Sequence, residues 1–212
     1  MTSPAARLPI RVYRMALSGH CHRVELLLSL LALPYETVDV NLRAGEHKTP
    51  EFLARNAFGQ IPVIEDDGVT IADSNAILVY LEARYAPGTW MPRDPLGAAR
   101  VQRWLSVAAG PLASGPATAR AIVLFGRAED PALASMRARQ LFSVMERELE
   151  AQPWLAGEAP TLADIASYAY VARAPEGGVP LDEYPAIQAW LTRVEGLPRF
   201  LPFALASTGK AA

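Results

Sequence analysis

The chain has 212 residues, 51% hydrophobic and 20% charged, which suits a globular protein with room for a substantial core and excludes the disordered classes. Twenty Lys plus Arg stand against 22 Asp plus Glu, and a net charge of -2 offers neither the basic field that nucleic acid needs nor a polybasic patch for anionic membranes. A single cysteine excludes an internal disulfide framework, and the longest apolar run, Leu26 to Leu33, falls short of the ~20 residues of a membrane span.

Met1 to Pro9 lacks the apolar core of a signal peptide, so a cytoplasmic protein is the expectation. Ile10 to Met15 reads as a short strand leading into a loop with Ser18. From Cys21 to Leu33 two apolar faces share one helix, which predicts packing on two sides, and Pro34 stops it. Tyr35 to Val40 alternates as a second strand; strand, helix and strand at this spacing form a right-handed βαβ unit with a parallel pair. Thr49-Pro50 starts a short helix after a polar loop, Arg43 to Lys48.

Gln60-Ile61-Pro62 opens an apolar run where a proline suits the head of a strand; chain statistics alone favour a trans bond there. Asp66-Asp67-Gly68 turns that strand into an antiparallel partner, so Pro62–Glu65 pairs with Val69–Ala72. Asp73-Ser74 begins a helix carrying Ile77, Leu78, Leu81 and Tyr85 at helical spacing. Those two residues could simply cap the helix. Equally, the helix start suits a carboxylate and the Asp73 carboxylate an ammonium group, which together match the end of a free amino acid.

Three prolines and a glycine between Tyr85 and Pro95 mark a boundary, with one domain at 1–86, a linker at 87–95 and a second domain at 96–212. Beyond it strand signals nearly vanish. Leu96 to Ala109 is helical; Gly110-Pro111 and Gly115-Pro116 bend the pattern before it resumes from Ala117 to Phe125. Asp130-Pro131 opens a helix with an apolar stripe of Met136, Leu141, Val144, Met145 and Leu149. Trp154 to Gly157 is a turn, and Thr161-Leu162-Ala163-Asp164 is a capping-box variant ahead of an apolar helix. Pro185 to Val194 and Pro198 to Leu205 read as two more short helices.

Ser18-Gly19-His20-Cys21-His22-Arg23-Val24, Asn56 to Pro62, Asp73-Ser74 and Thr161 to Asp164, in that order, resemble the cytosolic glutathione transferase family in its serine-type, bacterial-like form, from about Ile10 to Phe203. The resemblance implies an α/β thioredoxin-like N-terminal domain of order βαβαββα, an all-α C-terminal domain, and a cytoplasmic homodimer serving detoxification. It implies that Ile61 offers its backbone to the cysteinyl part of glutathione ahead of a cis Pro62, that Asp73 and Ser74 bind the γ-glutamyl end, and that His47, Lys48 and Gln60 bind the glycine carboxylate. It gives Ser18 the catalytic role of hydrogen-bonding the glutathione thiolate, and places Trp104, Ala108, Pro111, Ala117 and Arg120 on the helix facing a small hydrophobic electrophile. His20 departs from the Asn that many serine-type relatives carry there.

Cys21 is the competitor to Ser18, since Ser18-Gly19-His20-Cys21 has the spacing of a redox motif with its first cysteine replaced; the second cysteine of such motifs is usually buried. Glutathione-dependent disulfide or peroxide reduction is therefore one alternative, and a non-enzymatic assembly module on the same fold another. A charge at Arg120, between two alanines, must find solvent, a carboxylate or a ligand. His20 and His22 have no Cys/His cluster around them, so no metal is expected.

Overall fold

The computed structural model describes residues 8–206; residues 1–7, which hold most of the segment read for a leader, and 207–212, the end of the expected second domain, lie outside it. Four strands, β1 (Ile10–Arg14), β2 (Tyr35–Asp39), β3 (Val63–Asp66) and β4 (Val69–Ala72), form one mixed sheet in the order β2-β1-β3-β4. β1 runs parallel to β2 and antiparallel to β3, with Val12 opposite Thr37 and Ile64. The β3–β4 hairpin closes through Asp67 and Gly68, both at positive φ (51° and 79°), as a two-residue turn of this hand requires. Helices α1 (Gly19–Leu30), α2 (Pro50–Arg55) and α3 (Ser74–Tyr85) complete the βαβαββα order that the resemblance implies. Thr49 caps α2 with Pro50 in its first turn, and Asp73 caps α3.

The remaining described residues are mostly helical: α4 (Pro95–Ala109), α5 (Thr118–Phe125), α6 (Pro131–Ala151), α7 (Leu162–Ala172) and α8 (Pro185–Glu195). Between α4 and α5 the axis breaks at Gly110 and passes through one π-helical turn, Ala113–Ala117, that contains Pro116. Gly115 sits there because α6 crosses it closely: a Cβ would lie 2.9 Å from the Ala138 nitrogen. The two faces of α1 pack against α3 and α7, which explains its all-round apolar sequence.

α7 is the axis of the helical half, with Leu162 to Val171 all buried. Its first turn is held by the buried Asp164 carboxylate, which accepts from the Thr161 N–H (2.8 Å), the Thr161 hydroxyl (3.2 Å), the Leu155 N–H (3.0 Å) and the Trp190 indole N–H (2.8 Å). The capping box read from sequence therefore also binds a turn and α8 to the helix start. Among the described residues no helix is long and apolar enough to cross a membrane.

Two expectations fail. Pro198 to Leu205 is not a helix: Pro198 and Pro202 lack N–H donors, Arg199 has φ of 65°, and the carbonyls of Arg199, Leu201 and Phe203 are taken by the side chains of Ser29, His22 and Arg173. The segment is a strap over α1 and α7. In α6, Met136 and Val144 are exposed, because the buried face runs through Ala134, Ala138, Leu141, Phe142, Met145 and Leu149; Met136 lies two residues, about 200°, round the helix from Ala134.

Replacing Asp164 by Ala strands three buried N–H donors and is expected to destabilise the protein by roughly 3–5 kcal/mol, with Asp164→Asn losing less. Urea midpoints measure this; a loss below ~1 kcal/mol would show that water takes over the donors.

Candidate active site

A cleft opens where the C-terminal edge of β1, the loop before β3 and the start of α3 face the broken helix. It holds two adjoining cavities of about 750 and 690 Å³. Met15, Ser18, His20, Leu42 and Arg127 line both, so Ser18 stands at their junction.

Ser18 is the N-cap of α1, and its Oγ accepts from the Cys21 N–H at 3.3 Å. A hydroxyl has one donor and two acceptor sites, so this cap leaves the O–H to turn between the neighbouring Cys21 thiol and the cavity. Gly19 follows because the Tyr170 ring of α7 lies against the first turn: a Cβ at Gly19 would sit 2.8 Å from the ring. Cys21 is fully buried, and burial pushes its thiol up to about 12. A group so desolvated is a poor nucleophile.

The first cavity has polar walls from three loops. His47 and Lys48, in a 3₁₀ turn (Glu46–Lys48), meet the Phe58–Gln60 bend, where Lys48 Nζ donates to the Phe58 carbonyl at 3.1 Å. Gly59 has φ of 57°, and a Cβ there would lie 2.6 Å from the His47 carbonyl, so only glycine fits. Asn56 staples the bend: its Nδ2 donates to the Gln60 carbonyl (2.7 Å) and its Oδ1 accepts from the Phe58 N–H (3.1 Å). Ile61 and Pro62 follow with a cis peptide bond between them. The sheet register starts at Val63, which leaves the Ile61 backbone outside the ladder and on the cavity wall.

Opposite stand Asp73 and Ser74. Asp73 Oδ1 accepts from the Asn75 and Ala76 N–H groups at 3.0 and 2.9 Å, leaving Oδ2 uncommitted. Its φ of 73° with ψ of 125° is a strained conformation for a non-glycine residue, costing on the order of 1–3 kcal/mol. Ser74 is buried: Arg23 Nη1 donates to its Oγ at 3.2 Å and to Asn75 Oδ1 at 2.8 Å, and His20 Nδ1 lies 3.4 Å from that Oγ. Among the described residues Arg23 pairs with no carboxylate; burial lowers its pKa to about 10, so it stays charged at neutral pH beneath the start of α3. Burial, helped by the Arg23 charge, holds the His20 pKa down to about 3, so His20 is a neutral wall.

The second cavity is lined from the helical half by Ala113, Ala117, Arg120, Ala121 and Phe125, with Tyr170 behind. Arg120 is buried and finds a carboxylate: Nε donates to Glu176 at 2.6 Å and Nη1 to the Leu17 carbonyl at 2.6 Å. Ala117 and Arg120 of the sequence-derived wall are therefore in place. Trp104 and Ala108 are instead core residues of α4, and Pro111 borders a shallow hollow with Trp104 on another face, because the break at Gly110 turns the wall over to the next segment. Arg127 and Tyr170 were not legible as site residues: one follows a helix end, the other reads as ordinary helix core. Arg43, in the polar loop after β2, joins them. Among the described residues no His/Cys/Asp/Glu group could hold a metal ion.

The model of the glutathione S-transferase N-terminal domain matches residues 17–84, and that of the C-terminal domain residues 109–198. The chain is 36% identical over 206 residues to glutathione S-transferase 3 of Zea mays, covering 91% of each. Among solved structures, a glutathione S-transferase from Pseudomonas fluorescens superposes with TM-score 0.87 at 38% identity, over 92% of this chain and 98% of that one. A glutathione transferase homologue from Drosophila mojavensis, solved with bound glutathione, gives 0.80 at 28% identity, over 90% and 89%.

His20 and His22 make stability pH-dependent. Burial holds His22 to about 4 and His20 to about 3, against 6.5 for an unburied imidazole. Between these values the unfolded chain binds more protons than the native one, so stability is lost as pH falls below about 6.5, by up to ~1.4 kcal/mol per unit for each histidine. Urea unfolding from pH 7 to 5 should show this slope, and His22→Gln should reduce it by about half; a flat profile would contradict the burial of both rings.

Proposed function

We propose, from the premise that the chain belongs to the glutathione S-transferase family and is a glutathione transferase, that it joins the thiolate of glutathione in the first cavity to a small hydrophobic electrophile in the second. The observation that carries this reading is the position of Ser18, the hydroxyl common to both cavities. That a solved relative was crystallised with glutathione supports the choice of ligand.

In this reading the γ-glutamyl end sits at α3: its ammonium meets Asp73 Oδ2 and its carboxylate meets Ser74 and the helix start. The cysteinyl backbone pairs with Ile61 beside cis Pro62, and the glycine carboxylate reaches Gln60, His47 and Lys48. The sulfur then lies at Ser18. The thiol proton leaves to solvent, and the Ser18 O–H donates to the thiolate. A new S–C bond forms; in a substitution the leaving group departs with the bonding pair. In an addition the electron pair moves onto a conjugated carbonyl oxygen, which water protonates. Lowering a thiol pKa from about 8.5 by two units corresponds to roughly 2.7 kcal/mol. One donor to an anion supplies about 1.5–3 kcal/mol of this. The remaining acceleration is proximity of the two reactants.

Reduction through Cys21 is disfavoured by that thiol's complete burial. A cytoplasmic homodimer with a role in detoxification, divided into two domains at 87–95, completes the reading. Phe58 supports a partner surface, being 81% exposed on the loop that forms the glutathione wall.

Ultraviolet thiolate absorbance of bound glutathione, titrated across pH, tests the assignment. Ser18→Ala is expected to raise the bound-thiol pKa by about 1–2 units, the worth of one charge-assisted donor, and to lower kcat/KM on the order of 10–100-fold. Cys21→Ser should leave both unchanged. If Ser18→Ala binds glutathione with an unaltered thiol pKa, the role of Ser18 is wrong.

A further inference from the structure

The second cavity is basic as well as apolar. Its lining carries three arginines, Arg43, Arg120 and Arg127, and no aspartate or glutamate. Arg120 gives Nε to Glu176 and Nη1 to the Leu17 carbonyl and keeps a buried Nη2 without a partner among the described residues, and Arg127 is paired with Glu129 on its own loop. Arg43 is different: it lines only this cavity, is exposed, and has no ion pair or hydrogen bond with any described residue. Glutathione placed in the first cavity meets His47, Lys48 and Gln60 and leaves Arg43 to the other compartment. The facing wall of Ala117, Ala121 and Phe125 offers an apolar slot for a flat body. A cation on the lining of a largely apolar cleft recognises an amphipathic anion.

We propose that the electrophile this enzyme selects carries a carboxylate on a short apolar or aromatic body, its anionic end at Arg43 and its reacting carbon toward Ser18. This rests on the transferase reading and narrows its substrate class. The bent-helix wall holds the body, and Arg43 acts as a specificity-determining residue.

The test uses 4-chloro-3-nitrobenzoate and its neutral amide, 4-chloro-3-nitrobenzamide. In both, the glutathione thiolate forms a C–S bond at the ring carbon and chloride leaves with the C–Cl pair. Each kcat/KM is divided by the uncatalysed rate constant at the same pH. The acid should be preferred by about tenfold or more, a discrimination of roughly 1.4 kcal/mol. Arg43→Gln should remove that preference while leaving the amide and the KM for glutathione unchanged, and Arg43→Lys should retain most of it. Equal use of the two compounds, or an Arg43→Gln effect that falls on both or on glutathione, overturns the proposal. Calorimetric binding of the two glutathione conjugates separates this from the catalytic reading. A preference for the acid conjugate that Arg43→Gln abolishes upholds anion selection even if neither compound turns over; equal affinities sink it even if Ser18 activates the thiol.

Discussion

Arg120 is the constraint on which the cleft depends. A guanidinium taken out of water is stabilised here by Glu176 and the Leu17 carbonyl, with its Cζ 5.0 Å from the centroid of the Phe203 ring. Leu17 immediately precedes Ser18, so α5 fixes the position of the residue at the junction of the two cavities. Glu176 comes from the 3₁₀ turn after α7, and Gly177 in that turn lies so close to α5 that a Cβ would stand 2.5 Å from the Arg120 nitrogen. A buried pair of this kind adds little stability over a well-packed apolar one, while removal of one partner is costly. Its contribution is register: the helical wall can take one position relative to Ser18.

Arg23 does the corresponding work on the other side. It joins α1 to the start of α3 through Ser74 and Asn75, and Asn75 Nδ2 reaches on to the Leu105 carbonyl of α4 at 2.9 Å. Two buried guanidinium groups thus connect the sheet half to the helical half on both flanks of the cleft. Arg23 also places positive charge beneath the start of α3, whereas the charge of Arg120 is offset by Glu176. The chain's net charge of -2 conceals this, since local field follows placement, not the sum.

What the sequence made legible was local chemistry. Asp67-Gly68, Thr49-Pro50, Asp130-Pro131 and the Thr161–Asp164 box each determine a turn or cap by their own hydrogen bonds, and each is where it was expected. Asp73 and Ser18 lie beside such signals, while the roles expected of Ser18, Gln60 and Ile61 came from the family resemblance; all four line the first cavity. The Ile61–Pro62 bond shows the limit, because propensity alone argued for trans and the family resemblance for cis, which is the form found. Helical periodicity was weaker evidence. It says which residues share a face but not what the face meets; the family resemblance put Trp104 and Ala108 on the cleft, whereas they belong to the core. The strap at Pro198–Leu205 was illegible because its carbonyls are satisfied by side chains far away in sequence.

The capping and the proposed ligand-binding readings of Ser18 and Asp73, which compete when only sequence is considered, are compatible in one arrangement. Ser18 Oγ gives a lone pair to the Cys21 N–H and has a proton that can turn from the Cys21 thiol to a ligand; Asp73 gives Oδ1 to two N–H groups and keeps Oδ2. The cap bond fixes the side-chain rotamer, so the free half of each group is aimed before any ligand arrives. That removes an entropy cost of about 0.5–1.5 kcal/mol per side chain that binding would otherwise bear. Helix caps are therefore suited to a site whose chemistry is mainly orientation. Their hydrogen bonds place the atoms that the proposed reading assigns to the substrate, and the helix dipole behind Ser18 favours an anion there.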